Sequence, residues 1–143
     1  MANEFIAITA DWTKHKHTLK EIRKTVFIDE QQVPIELEWD EFDEHCTHFL
    51  ISISGEFIAT GRLKSDGQIG RMAVLAQHRR NGAGTILLNH ILNYAQEIKL
   101  NKVYCHAQLT ALDFYKTAGF TPTGEIFIDA NIPHQAMFKK LCY

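Results

Sequence analysis

The chain has 143 residues, with 15 Lys and Arg against 17 Asp and Glu and a formal net charge of -2 at pH 7. That length suits one domain, expected over residues 1–143, with a core large enough to need no disulfide or metal staples. The near-neutral balance supplies no field for nucleic acid or an anionic membrane, and 45% hydrophobic with 22% charged residues excludes a disordered or fibrous chain.

The opening segment, Met1 to Trp12, carries Glu4 and Asp11 and lacks the basic start and continuous apolar run of a signal peptide. Within it, Phe5 to Ala10 read as a first strand, apolar on both faces. Thr18 is a candidate cap for a helix starting near Leu19, with Leu19, Ile22 and Val26 on one face, ending before Pro34. Thr47–Ser54 and Glu56–Leu63 read as a hairpin around Ser54-Gly55, and Gln68–Leu75 follows Asp66-Gly67 as a third strand. A helix is expected from about Gly84 to Leu100, a strand over Lys102–Gln108, and a short helix over Ala111–Ala118 stopped by Gly119. Gly124–Asp129 and Gln135–Leu141 form a closing hairpin. Helices interleaved with strands in this order predict a mixed sheet of the α+β or α/β class.

No run approaches the roughly 20 apolar residues of a membrane helix. Cys46, Cys105 and Cys142 are odd in number and widely spaced, which predicts reduced thiols and a cytoplasmic location. His45, Cys46 and His48 find no second ligand pair at zinc spacing, so no metal is expected.

The most informative stretch is Ile69 to Gly84: an apolar strand, then a basic glycine-containing loop, then a helix. Such a loop has the parts of an anion cradle, because glycines admit a ligand and the helix N-terminus adds partial positive charge. Arg79 and Arg80 add whole charges and forked donors, and a pyrophosphate fits. The letters match neither a P-loop nor a Gly-x-Gly-x-x-Gly fingerprint, and an ordinary strand–turn–helix connection is the competing reading.

Arg79-x-x-Gly82-x-Gly84 after Met72-Ala73-Val74, with Gln108-x-x-Ala111-x-x-Phe114-Tyr115-x-x-x-Gly119-Phe120 downstream, resembles the two acyl-CoA motifs of the GNAT N-acetyltransferases. Arg23-x-x-Val26-Phe27-x-x-Glu30-Gln31-x-Val33-Pro34, then Asp40, Asp43 and His48, and finally Pro133-His134-x-x-Met137, is similar to the ElaA/YjcF-like subgroup. The resemblance implies a mostly antiparallel sheet splayed between two strands, flanked by about four helices. It implies acetyl-CoA as cosubstrate, held along Met72, Ala73 and Val74, with its pyrophosphate on the amides of Arg79, Arg80, Asn81, Gly82, Ala83 and Gly84. Thr85, Gln108, Ala111 and Phe114 would complete that site, and Tyr115 would be the general acid. Phe27, Glu30, Gln31, Asp40, Asp43, His48 and His134 would line the acceptor side.

The chemistry then required is deprotonation of an amine, stabilisation of an oxyanion by β-strand amides, and protonation of the thiolate. Glu30, His48 and His134 are the candidates for activating the amine. Glu36, Glu38, Asp40, Glu41, Asp43 and Glu44 put six carboxylates within nine residues. That run is either a solvated face or a funnel for a small cationic amine. A CoA-binding module without catalysis, and transfer of another acyl chain or to a hydroxyl, are the rival functions. The exposed edges of such a sheet would permit a homodimer.

Overall fold

Asp11 sets where the first helix begins. Its carboxylate accepts from the amides of Thr13 and Lys14 at 2.8 and 3.3 Å, so α1 (Trp12–Arg23) follows β1 (Phe5–Ala10) directly. The cap expected at Thr18 is thus corrected to Asp11 and the start moves about two turns earlier. Leu19 and Ile22 are buried on the expected face. At its end α1 widens into a π-helical segment, Lys24–Glu30, which stops before Pro34. A single helical turn, α2 (Ile35–Glu38), was not expected from the pattern.

The computed structural model describes residues 4–141, so Cys142 and the outermost residues of the expected 1–143 domain lie outside it. After α2 come β2 (Thr47–Ile53), β3 (Glu56–Leu63), β4 (Gln68–Val74), α3 (Ala83–Glu97) and β5 (Lys102–Gln108). α4 (Leu112–Thr117), β6 (Thr121–Asp129) and β7 (Ile132–Lys140) complete the order. The seven strands form one sheet in the order β1-β2-β3-β4-β5-β7-β6, antiparallel throughout except where β4 meets β5. This is the mixed α+β sheet with four α-helices that the sequence implied. Among the described residues, no helix is long and apolar enough to cross a membrane.

Two cores sandwich the sheet. On one face, Leu87, Leu88 and Ile91 of α3 pack against Phe49, Ile51 and Ile69. On the other, Leu19, Ile22, Val26 and Phe27 pack against Leu50 and Ala73. Each such side chain contributes about 1.5–3 kcal/mol when fully buried. Ile69 and Ala73, four apart on β4, should share a face, yet they belong to opposite cores. The cause is a bulge: Thr60 pairs with Ala73 and Arg62 with Gly70, so Arg71 and Met72 together oppose Gly61. Arg71 takes up the extra residue with φ +51.

Beneath the second core's rim lies a buried ionic network. Arg23, 1% exposed, donates to Glu38 Oε2, Asp43 Oδ1 and the Glu38 carbonyl, each at 2.7 Å. Arg62 donates to Asp40 at 2.8 and 3.1 Å and to Asp43 at 2.8 Å. Burial alone would raise the Asp43 carboxyl, but the two guanidiniums outweigh it and hold the group below the usual range. Burial wins at Glu38, whose carboxyl is pushed up. These contacts bind the 31–46 segment over β3 and β4.

Replacing Arg23 with Leu leaves buried Glu38 without a hydrogen-bonded cation and Asp43 with Arg62 alone. The expected loss is about 3–5 kcal/mol of unfolding free energy, read by urea titration. A loss below about 1 kcal/mol would show that the network is solvated rather than buried.

Candidate active site

β4 and β5 pair at only two positions, Gln68 with Tyr104 and Ile69 with Cys105. Beyond Ile69 they part, because β4 carries the bulge while β5 continues straight in register with β7. The edge of β4 from Gly70 to Val74 therefore faces a gap rather than a strand. A cavity of about 240 Å³ occupies the gap, walled by Phe27, Arg71, His106, Gln108 and His134. A second, of about 390 Å³, runs toward α3 past Val26, Val74, Gly84 and Phe114. Gln31, Met72, Ala111 and Tyr115 belong to both walls. The Gln108 amide donates to Gln31 Oε1 at 2.9 Å, tying β5 to the end of the π-helical segment across the opening.

At the far end of the larger cavity lies the basic loop. Arg80 (φ +63) and Gly82 (φ +87) both adopt the left-handed region, and Gly82 is the N-cap of α3. No side chain accepts from the first-turn amides of α3, and nothing lies within 4 Å of where a Gly82 Cβ would be. Free amides, an open approach and the dipole of a 15-residue helix suit a phosphate group. Ala83 is buried, Asn81 and Thr85 are exposed around the cradle, and Gly84 lets the Phe114 ring approach.

Arg79 behaves differently from Arg80. Its Nε donates to the Val74 carbonyl at 2.8 Å, and its two terminal nitrogens form a forked pair with Glu30 at 2.5 and 2.7 Å. The guanidinium thus latches the loop to the π-helical segment instead of pointing outward, while Arg80 is exposed. The Arg79 hydrogen bond holds the Glu30 carboxyl below its ordinary range, which leaves it a weak proton acceptor.

Tyr115, on α4, is 8% exposed, and its hydroxyl lies 3.5 Å from Met72 Sδ on the opposite wall. Burial, with Cys105 nearby, pushes this phenol far up, so it retains its proton. His134, on β7 opposite Gln108, has Nδ1 2.6 Å from the Ile132 carbonyl and its ring stacked on Phe127. A carbonyl only accepts, so Nδ1 carries a hydrogen and Nε2 is the nitrogen left for exchange with a ligand.

The remaining expected acceptor residues separate into two groups. Phe27 and Gln31 line the gap. Asp43 and His48 are buried behind it: Asp43 between Arg23 and Arg62, and His48 with Nε2 on the Asp43 carbonyl at 2.8 Å, stacked on Trp12. Asp40 borders a side cavity of about 210 Å³ but is clasped by Arg62. Three of the six clustered carboxylates are thus spent on arginines.

Sequence reasoning missed Arg71 and His106. The signal was present: Ile69-Gly70-Arg71 puts a cation where strand alternation must slip, and His106 sits two residues before Gln108 on the same face of β5.

The family model described as "Acetyltransferase (GNAT) domain" matches residues 13–141. The chain is 32% identical over 133 residues to the Bacillus subtilis protein named "Uncharacterized N-acetyltransferase YjcF", covering 88% of this chain and 95% of that one. It is 30% identical over 133 residues to Escherichia coli ElaA, with 87% of each covered. The crystal structure of that ElaA superposes with a TM-score of 0.84, at 26% identity, over 96% of this chain and 99% of that one. An acyl-CoA N-acyltransferase structure from Pseudomonas aeruginosa superposes with a TM-score of 0.81, at 25% identity, over 96% and 99%.

Gly82→Asp places a Cβ at φ +87 and a negative charge before the free amides of α3. CoA affinity, measured by calorimetry, is expected to fall by at least about tenfold. Affinity equal to the wild type would move the phosphate site away from this loop.

Proposed function

The chain belongs to the GNAT family of acyl-CoA-dependent acetyltransferases, beside YjcF and ElaA, and from that premise we propose that it transfers the acetyl group of acetyl-CoA directly to the primary amine of a small acceptor. The supporting observation is that Tyr115, which burial keeps protonated, and His134, whose Nδ1 is held by the Ile132 carbonyl, border one cavity in the β4–β5 gap.

The unpaired edge of β4 at Met72, Ala73 and Val74 is shaped to take the pantetheine arm as an added strand, through main-chain hydrogen bonds. Gly82 to Thr85 hold the pyrophosphate, and Ala111 and Phe114 flank the arm. The thioester then lies where the two cavities meet, between Met72 and Tyr115.

His134 Nε2 takes a proton from the incoming ammonium, freeing the nitrogen lone pair. The amine nitrogen attacks the thioester carbon and a C–N bond forms. Amides of β4 facing the gap stabilise the oxyanion. His134 releases the first proton to solvent. As the C–S bond breaks, Tyr115 gives its proton to the leaving thiolate, the nitrogen's second proton passes through His134 to solvent, and solvent reprotonates Tyr115. The products are an N-acetyl amide and free CoA thiol. Positioning and proton transfer suffice for this reaction, with no covalent enzyme intermediate. Glu30 serves as the partner that fixes Arg79 and the cofactor loop, while the base role falls to His134.

Thiol release from acetyl-CoA over a panel of amines tests this reading. Tyr115→Phe is expected to lower kcat by about 10²-fold or more while acetyl-CoA affinity stays within about twofold. A wild-type rate would remove Tyr115 as the acid. His134→Gln is expected to erase the acidic limb of the kcat/KM pH profile, whereas Glu30→Gln preserves that limb. The reverse pattern would assign the base to Glu30.

A further inference from the structure

Three guanidiniums and three carboxylates meet between β3, β4 and the 31–46 segment, but they are not equally satisfied. Arg23 spends all three nitrogens at 2.7 Å. Arg62 makes three bonds to Asp40 and Asp43 at 2.8 to 3.1 Å. Arg71 has one long bond, from Nη2 to the Leu37 carbonyl at 3.3 Å. Its Nε is buried with no hydrogen-bond partner. The nearest carboxylate oxygen, Glu38 Oε2, is 3.7 Å from that Nε and already accepts from Arg23. Buried donors seldom stay unmatched, because an unmade bond costs about 1–3 kcal/mol.

Arg71 is also the arginine that borders the 240 Å³ cavity beside Tyr115 and His134. The bulge puts it there: with φ +51 it occupies the extra position on β4, at the point where the strand leaves β5. The adjoining cavity of about 210 Å³ is walled by Arg71, Lys64, Arg62, Asp40 and Asp129. Arg62 and Asp40 neutralise one another, and Arg71 lies 3.7 Å from Glu38, so the lining carries both signs. An acceptor without an anionic group would leave the terminal Arg71 donors that Leu37 does not take without a hydrogen-bonding anion.

We propose that Arg71 is the specificity determinant for the acceptor, and that the acceptor is an amine of amino-acid size that also carries a carboxylate. The inference rests on the amine-transfer reading above. Arg71 takes the carboxylate through its uncommitted donors in a forked, charge-assisted pair, and thereby turns the amine toward His134.

The test compares L-amino acids with their carboxamides and with the corresponding decarboxylated amines, using thiol release from acetyl-CoA. The carboxylate form is expected to have a kcat/KM at least about tenfold above the other two. Arg71→Gln should collapse that ratio to within about threefold, chiefly through KM, and Arg71→Lys should retain part of it. Acetyl-CoA affinity within about twofold of wild type in both variants would show that the fold survives. Equal or better turnover of the carboxamides, or a ratio that survives Arg71→Gln, overturns the proposal while leaving amine transfer standing. A second arm needs no turnover: N-acetyl amino acids and their amides are titrated into CoA-saturated protein. Binding of the carboxylate form about tenfold tighter, lost in Arg71→Gln, supports the anchor, and equal binding overturns it. Thiol release with no amine at all would sink the amine-transfer reading separately.

Discussion

The parting of β4 from β5 after two residue pairs is the constraint on which the rest of the molecule depends. A parallel pair inside a sheet ordinarily continues its ladder, because each broken pairing leaves main-chain donors and acceptors unmatched. Here β5 has antiparallel β7 along its whole length, and β4 has antiparallel β3, so each keeps one satisfied edge. What remains is one free edge on each side of a wedge. That edge is the most directional binding surface the backbone can offer, and it suits an extended ligand bearing its own amides.

The bulge at Arg71 and Met72 makes the wedge possible and equips it. One added residue reverses which face of β4 looks at which core, so Ile69 secures the strand to the α3 side and Ala73 to the α1 side. The strand is pinned on both faces around the place where it is least regular. Met72 is thereby set opposite the Tyr115 hydroxyl, and Arg71 borders the same cavity. A distortion of one residue thus turns two neighbouring side chains toward different adjoining cavities, Met72 toward α3 and Arg71 toward β3.

Much of this was legible in the sequence, and the parts that were not share a cause. Strand extents such as Lys102–Gln108 and Glu56–Leu63 follow from local alternation bounded by turn residues, and the structure reproduces them. The strand–loop–helix join from Arg79 to Gly84 was legible because it is built from consecutive residues, with Gly82 as the left-handed cap of α3. Long-range pairing was not. Nothing near Arg79 announces that Glu30, 49 residues away, will claim its guanidinium. Nothing in the run from Glu36 to Glu44 says that Arg23 and Arg62 will bury half of its carboxylates. A carboxylate cluster reads as solvated or as a funnel when its partners are unseen, and those partners lie on α1 and β3.

Arginine–carboxylate contacts at both ends also explain why the π-helical segment sits where it does. Lys24–Glu30 is a continuation of α1, and π geometry is a poor helix for its own sake. Widening the helix swings Val26 and Phe27 over the gap and brings Glu30 to Arg79. Arg23, one residue earlier, is locked to Glu38 and Asp43. The segment is therefore clamped at its start to Glu38 and Asp43 and at its end to the loop before α3. Gln31, next in sequence to Glu30, spans the gap to Gln108 through its side chain. The wide turn that roofs the gap is thus joined by hydrogen bonds both to β5 and to the loop before α3.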